Sequence, residues 1–126
     1  MSTELSTRMY IGCCISKPTS GTYTGVDNSG VYPIDEKDIY ACALGGVWLS
    51  FLWERCWPPH EYDLTVSVYR LIEEFPQLDE EWEVYPQECQ FGLGERPTLL
   101  NIINELHDKC DWTREEIADW LSERGL

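Results

Sequence analysis

The stretch IYACALGGVWLSFLW, residues 39–53, decides how this chain folds: only Gly45, Gly46 and Ser50 interrupt its apolar run. It is shorter than the ~20 residues that cross a bilayer. It therefore reads as a helix buried on most of its sides. Asp35-Glu36-Lys37-Asp38 stands before it, with acids where the helix dipole favours them, and Pro58-Pro59 stops the chain beyond it. These signals predict a helix over 36–56. A glycine inside a helix costs about 0.5–1 kcal/mol against alanine. The small residues Ala43, Gly45 and Gly46 therefore predict a neighbouring element packed close against this helix.

Downstream, Leu64, Val68, Leu71, Ile72 and Phe75 recur at spacings of three and four, predicting a second helix over Tyr62–Phe75 that ends at Pro76. The segment Leu78–Tyr85, LDEEWEVY, reads as short and acidic, and Gln87–Arg96 as a loop. Leu99, Ile102, Ile103, Leu106 and Cys110 form one helical stripe. The last helix carries complete boundary chemistry. Thr113 and Glu116 have capping-box spacing, Trp112 and Ile117 have staple spacing, and Gly125 sits where a C-terminal glycine belongs. Asp108–Asp111 joins these two helices into a hairpin.

Upstream, RMYIGCCIS at residues 8–16 reads as a short strand. GTYTG and GVYPI flank the turn sequence Asp27-Asn28-Ser29-Gly30, a hairpin signal. The expected fold is α+β and mainly α: a small N-terminal antiparallel β-hairpin or sheet packed on a bundle of about four helices. A chain of 126 residues fits one domain, 1–126, with a hairpin region at 1–34 and a helical body at 35–126.

Charge divides along the same boundary. The net charge is −14, from 23 acids and 9 bases. Glu4 and Asp27 balance Arg8 and Lys17 in residues 1–33, so residues 34–126 carry the whole excess. Between Glu61 and Glu83 stand eight acids and one base, Arg70. Acidity of this size argues against direct binding to nucleic acid or an anionic membrane, because phosphate affinity comes from Lys and Arg. It favours a basic partner, and it exceeds the roughly 2–8 units that solubility asks of a small domain.

Six cysteines stand at 13, 14, 42, 56, 89 and 110. Met1–Gly12 lacks the basic start and apolar stretch of a secretory signal, so reduced thiols and a cytoplasmic setting are expected. Cys13 and Cys14 on a strand would face opposite ways and could not pair. Cys56, His60, His107 and Cys110 offer the ligand types of a tetrahedral zinc site. Their Cys-x3-His and His-x2-Cys spacings are not those of a finger or ribbon, and Cys110 continues an apolar stripe. No cofactor or metal is expected. No Gly-x-Ser-x-Gly elbow is present, carboxylate pairs such as Glu73-Glu74 read as solvated helix faces, and the chain reads as a non-enzyme.

The remaining constellation is LDEEWEVY, where acids alternate with Trp82, Val84 and Tyr85. Aromatics ringed by charge have the composition of an interface hot spot. Trp48, Trp53, Trp112 and Trp120 have core positions by periodicity, whereas Trp57 and Trp82 do not. The candidate partner-binding residues are Glu73, Glu74, Asp79, Glu80, Glu81, Trp82 and Glu83.

YACALGG at Tyr40–Gly46 resembles the CALGA helix start of small phage and prophage proteins, and DWTREEIADWL at Asp111–Leu121 resembles their final WTREQIADWL-like helix. The chain departs from that layout in its acidic middle and in its N-terminal third, where a hairpin is expected in place of a leading helix. The resemblance implies a viral setting and an inhibitor of host defence in the bacterial cytoplasm. Such an anti-CRISPR-like protein or DNA mimic would cover a basic, nucleic-acid-handling surface of a host protein. The alternatives are a small zinc- or thiol-dependent enzyme, and an assembly subunit that uses helix 36–56 or the hairpin edge as an oligomer contact.

Overall fold

The computed structural model describes residues 4–19, 21–27, 30, 32–82, 86 and 96–126. The fold is α+β, with five α-helices and a three-stranded sheet among the described residues. No helix among them is long and apolar enough to cross a membrane.

The first helix, α1, spans Leu5–Cys14, where a strand was expected. Its inward stripe is Leu5, Arg8, Met9 and Gly12, all buried at helical spacing. An arginine and a glycine occupy two of those positions, so the stripe leaves no apolar periodicity in the sequence. Strand β1 (Lys17–Pro18) follows, then β2 (Thr24–Val26).

The long apolar run is divided. Asp35 caps a single 3-10 turn, Glu36–Asp38, by accepting from the Lys37 N–H. Ile39–Ala41 is then a strand, β3, and only Ala43–Arg55 is helix α2. β3 lies at the centre of the sheet, parallel to β1 and antiparallel to β2. The sheet is therefore mixed, and β2 pairs with Ile39–Ala41 rather than in the expected hairpin. An apolar run that is buried whichever way it turns cannot be assigned to strand or helix by periodicity.

Helix α2 is the hub. Residues 43–52 are all buried, against α1, α4 (Leu99–Asp108) and the sheet. The expected close approach is present on two sides. Gly46 meets Gly12 of α1, and a side chain on Gly45 would collide with the backbone of Tyr23. On its other side α1 packs against α5 (Arg114–Glu123).

The expected helix over 62–75 is two elements. A 3-10 turn spans Glu61–Leu64, and α3 covers Val68–Glu74 behind Ser67, whose hydroxyl accepts from the Arg70 N–H. A further 3-10 turn, Pro76–Asp79, starts at the predicted stop. Thr113 and Glu116 form the reciprocal capping box of α5. At its end the Gly125 N–H donates to Ser122 and the Leu126 N–H to Leu121, with Gly125 at φ 75°, the geometry of a Schellman closure.

Candidate functional site

The nine basic side chains are buried, stacked on rings or set against neighbouring acids. Arg8 and Arg114 are buried. Arg8 reaches Ser50 Oγ at 3.4 Å and Glu54 Oε2 at 3.3 Å. Arg114 donates to Ser16 Oγ at 2.7 Å, the Ser16 carbonyl at 3.1 Å and the Ala41 carbonyl at 3.4 Å, tying α5 to the sheet. Arg55 lies over the Phe51 ring, Arg70 over Trp48 and Arg124 over Trp120. Lys17 pairs with Asp27, Lys37 with Asp35, Lys109 with Glu105 and Arg96 with Glu81.

The acids between Glu73 and Glu81 are disposed differently. Buried Phe75 and Leu78 anchor the end of α3 and the Pro76–Asp79 turn. The chain then extends beside the start of α4. The Leu99 N–H donates to the Glu80 carbonyl and the Trp82 N–H to the Pro97 carbonyl, each at 2.9 Å, with Glu81 bridged to Thr98. Glu73, Asp79, Glu80 and Glu81 are thereby held exposed on a supported edge. Among the described residues only Glu81 of these four has a cation in ion-pair range, Arg96 at 3.7 Å. Glu74 is half-buried and lines a cleft with Arg8, Phe51 and Glu54.

Trp82 is half-buried and packs against the core, so it is not the exposed aromatic the sequence suggested. Glu83 lies outside the described residues.

The exposed aromatics are elsewhere. Trp53, a core residue by periodicity, is 45% exposed. It leans on Trp57 at 5.1 Å between ring centroids, and the Trp57 indole N–H donates to Glu36 at 3.2 Å. Beside this pair in the chain, the His60 ring lies between two tyrosines. Tyr32 stacks on it at 4.2 Å and 9°, and Tyr62 at 5.6 Å and 11°. Tyr32 is 55% exposed and Tyr62 74%. The stack joins two segments distant in sequence, and only the aromatic content of each could have hinted at it.

The zinc candidates are not assembled. Cys56 and His60 are exposed after α2, and His107 and Cys110 are half-buried around the end of α4. Among the described residues no three His, Cys, Asp or Glu side chains converge as a metal site. Cys13 and Cys14 stand on helix α1 rather than on a strand, and with Cys42 and Cys56 they carry free thiols. Cys42 borders a cleft of about 390 Å³ with Tyr23, Asn104 and Asp108. Burial pushes its thiol pKa up against the lowering effect of hydrogen bonds from the Gly45 and Leu44 N–H groups, the opposite of what a reactive thiol needs.

No known protein family, curated protein or solved structure matches the chain.

Proposed function

We propose that this protein binds another protein by docking its acidic edge, Glu73 to Glu81, on a Lys/Arg-rich surface. One observation carries the reading. Nearly every positive charge is buried, stacked on a ring or paired, while Glu73, Asp79 and Glu80 stand exposed with no cation in range among the described residues. Unpaired carboxylates on a supported edge bring partner cations in quickly and give up little hydration until contact. Nothing in this arrangement favours phosphate, so the partner is a basic protein and not nucleic acid.

The finer reading rests on the resemblance to small phage proteins. The basic surface is the nucleic-acid channel of a host defence or nucleic-acid-handling complex in the bacterial cytoplasm, and covering it inhibits the complex in the manner of an anti-CRISPR protein. Of the two surfaces of the assembly-subunit alternative, helix 36–56 and the hairpin edge, the helix is disfavoured by the burial of residues 43–52 within a single chain.

The test is affinity capture from bacterial lysate on the immobilised protein at low salt. The partner is expected to elute as salt rises, and to be missed by the Asp79→Asn/Glu80→Gln/Glu81→Gln variant. A complex unmoved by about 0.5 M salt, where the Debye length falls to a few ångströms, would exclude charge as the basis of binding.

A further inference from the structure

Three rings exposed on a surface lose the benefit of burial unless something covers them. Here they are also held in register from both sides. The Gly30 N–H donates to Glu61 Oε1 at 2.8 Å, tying the Tyr32 segment to the Glu61–Leu64 turn. The Tyr32 hydroxyl donates to the Pro58 carbonyl at 3.5 Å. The Asp63 carboxylate accepts the His60 N–H at 2.9 Å and fixes where the central ring starts. Rigid aromatics that need no ordering on contact are how interface anchors are built.

We infer that the Tyr32–His60–Tyr62 stack is the docking site for an arginine side chain of the partner. This rests on the acidic-edge reading and names a second contact beside it. The chain's own arginines show the chemistry: guanidinium carbons lie 4.4 Å from the Phe51 ring centroid, 4.6 Å from Trp120, and 5.3 Å from both Trp48 and Phe75. Among the described residues no such cation covers Tyr32 or Tyr62. One face of Tyr62 lies on His60, and the residue is still 74% exposed, so its other face is open. The carboxylates of Glu61 and Asp63 flank the ring in the chain, which favours a cation over it and disfavours a nucleotide, whose phosphate they would repel. A guanidinium fits better than an ammonium, because it is flat, weakly hydrated and stacks on rings.

The stack is also linked to the acidic edge through α3. Trp48 donates its indole N–H to the Asp63 carbonyl at 2.8 Å and carries Arg70 of α3 on its ring. The acidic edge begins at the far end of α3, whose seven residues span about 10 Å. The two contacts are therefore joined through one short helix.

The test uses oligo-arginine and oligo-lysine peptides of equal length as probes, with binding read by fluorescence anisotropy at low salt. The protein is expected to bind the arginine peptide about tenfold tighter than the lysine peptide. Tyr62→Ala should erase that preference while keeping the lysine-peptide affinity, and Tyr62→Phe should retain it. Circular dichroism verifies that each variant is folded. Equal affinities in the parent protein, or a preference that survives Tyr32→Ala/Tyr62→Ala, would overturn the arginine site and leave the acidic edge standing. Failure of both peptides to bind would overturn the acidic-edge reading as well. Binding of a single-stranded oligothymidine that Tyr62→Ala abolishes would assign the stack to nucleobases instead.

Discussion

Gly12 of α1 and Gly46 of α2 cross backbone against backbone, and the two positions are not equivalent. A side chain on Gly12 would be driven into the Gly46 main chain, whereas a Cβ on Gly46 would find its nearest neighbour, the Gly12 Cα, at an ordinary 3.5 Å. Gly12→Ala should therefore cost about 1–3 kcal/mol as overpacking. Gly46→Ala should be near neutral or stabilising by up to about 1 kcal/mol, since alanine is the better helix former. Urea denaturation of the two variants checks this, and equal losses would mean that the helices cross elsewhere.

Arg114 is buried and satisfied by Ser16 and Ala41, with no carboxylate in ion-pair range among the described residues. Arg114→Met should remove charge-assisted bonds that hold α5 to the sheet and leave the half-buried Ser16 carbonyl without its guanidinium donor, at about 2–3 kcal/mol. Lys109→Met, which removes an exposed ammonium from its i,i+4 pair with half-buried Glu105, should cost no more than about 1 kcal/mol. Thermal unfolding of both separates the roles. If the two variants melt alike, Arg114 is not the tie described.

The Cys13 thiol is pushed up from 9.0 to about 12, by burial first and then by its hydrogen bond with Glu115. The folded protein holds that proton to a higher pH than the unfolded chain does. The associated stability is complete below pH 9 and is lost as pH rises toward 12. Cys13→Ser should flatten the alkaline loss of stability seen in urea midpoints across that window, and an unchanged slope would assign the loss to other groups. Alkylation near neutral pH should mark exposed Cys14 well before its neighbour Cys13.

What the sequence disclosed depended on whether its signal was local. The capping box of Thr113 and Glu116 and the closure at Gly125 are local, and α5 forms where they place it. The close approach signalled by Gly45 and Gly46 is likewise real. Helix α1 was hidden because Arg8 and Gly12 share its inward face. Strand β3 was hidden because Ile39–Ala41 is as apolar as the helix after it. The acidic edge was legible as composition, with Trp82 misread as its exposed anchor. The ring stack was not legible, because Tyr32 and His60 meet only through the fold.

A net charge of −14 opposes folding through self-repulsion, and the exposed ion pairs do little to offset it. Melting temperature should rise by a few degrees as sodium chloride is raised to about 0.5 M, through screening. A fall over that range would mean that ion pairs outweigh the repulsion.

The central claim, that carboxylates on the edge from Glu73 to Glu81 meet a basic surface, is tested most directly by oligo-lysine affinity measured across a range of salt. The comparison is between the parent protein and the Asp79→Asn/Glu80→Gln/Glu81→Gln variant. The expected result is weaker binding and a shallower dependence of log Kd on log salt in the variant, with its melting temperature retained. The same affinity and the same slope in both proteins would contradict it.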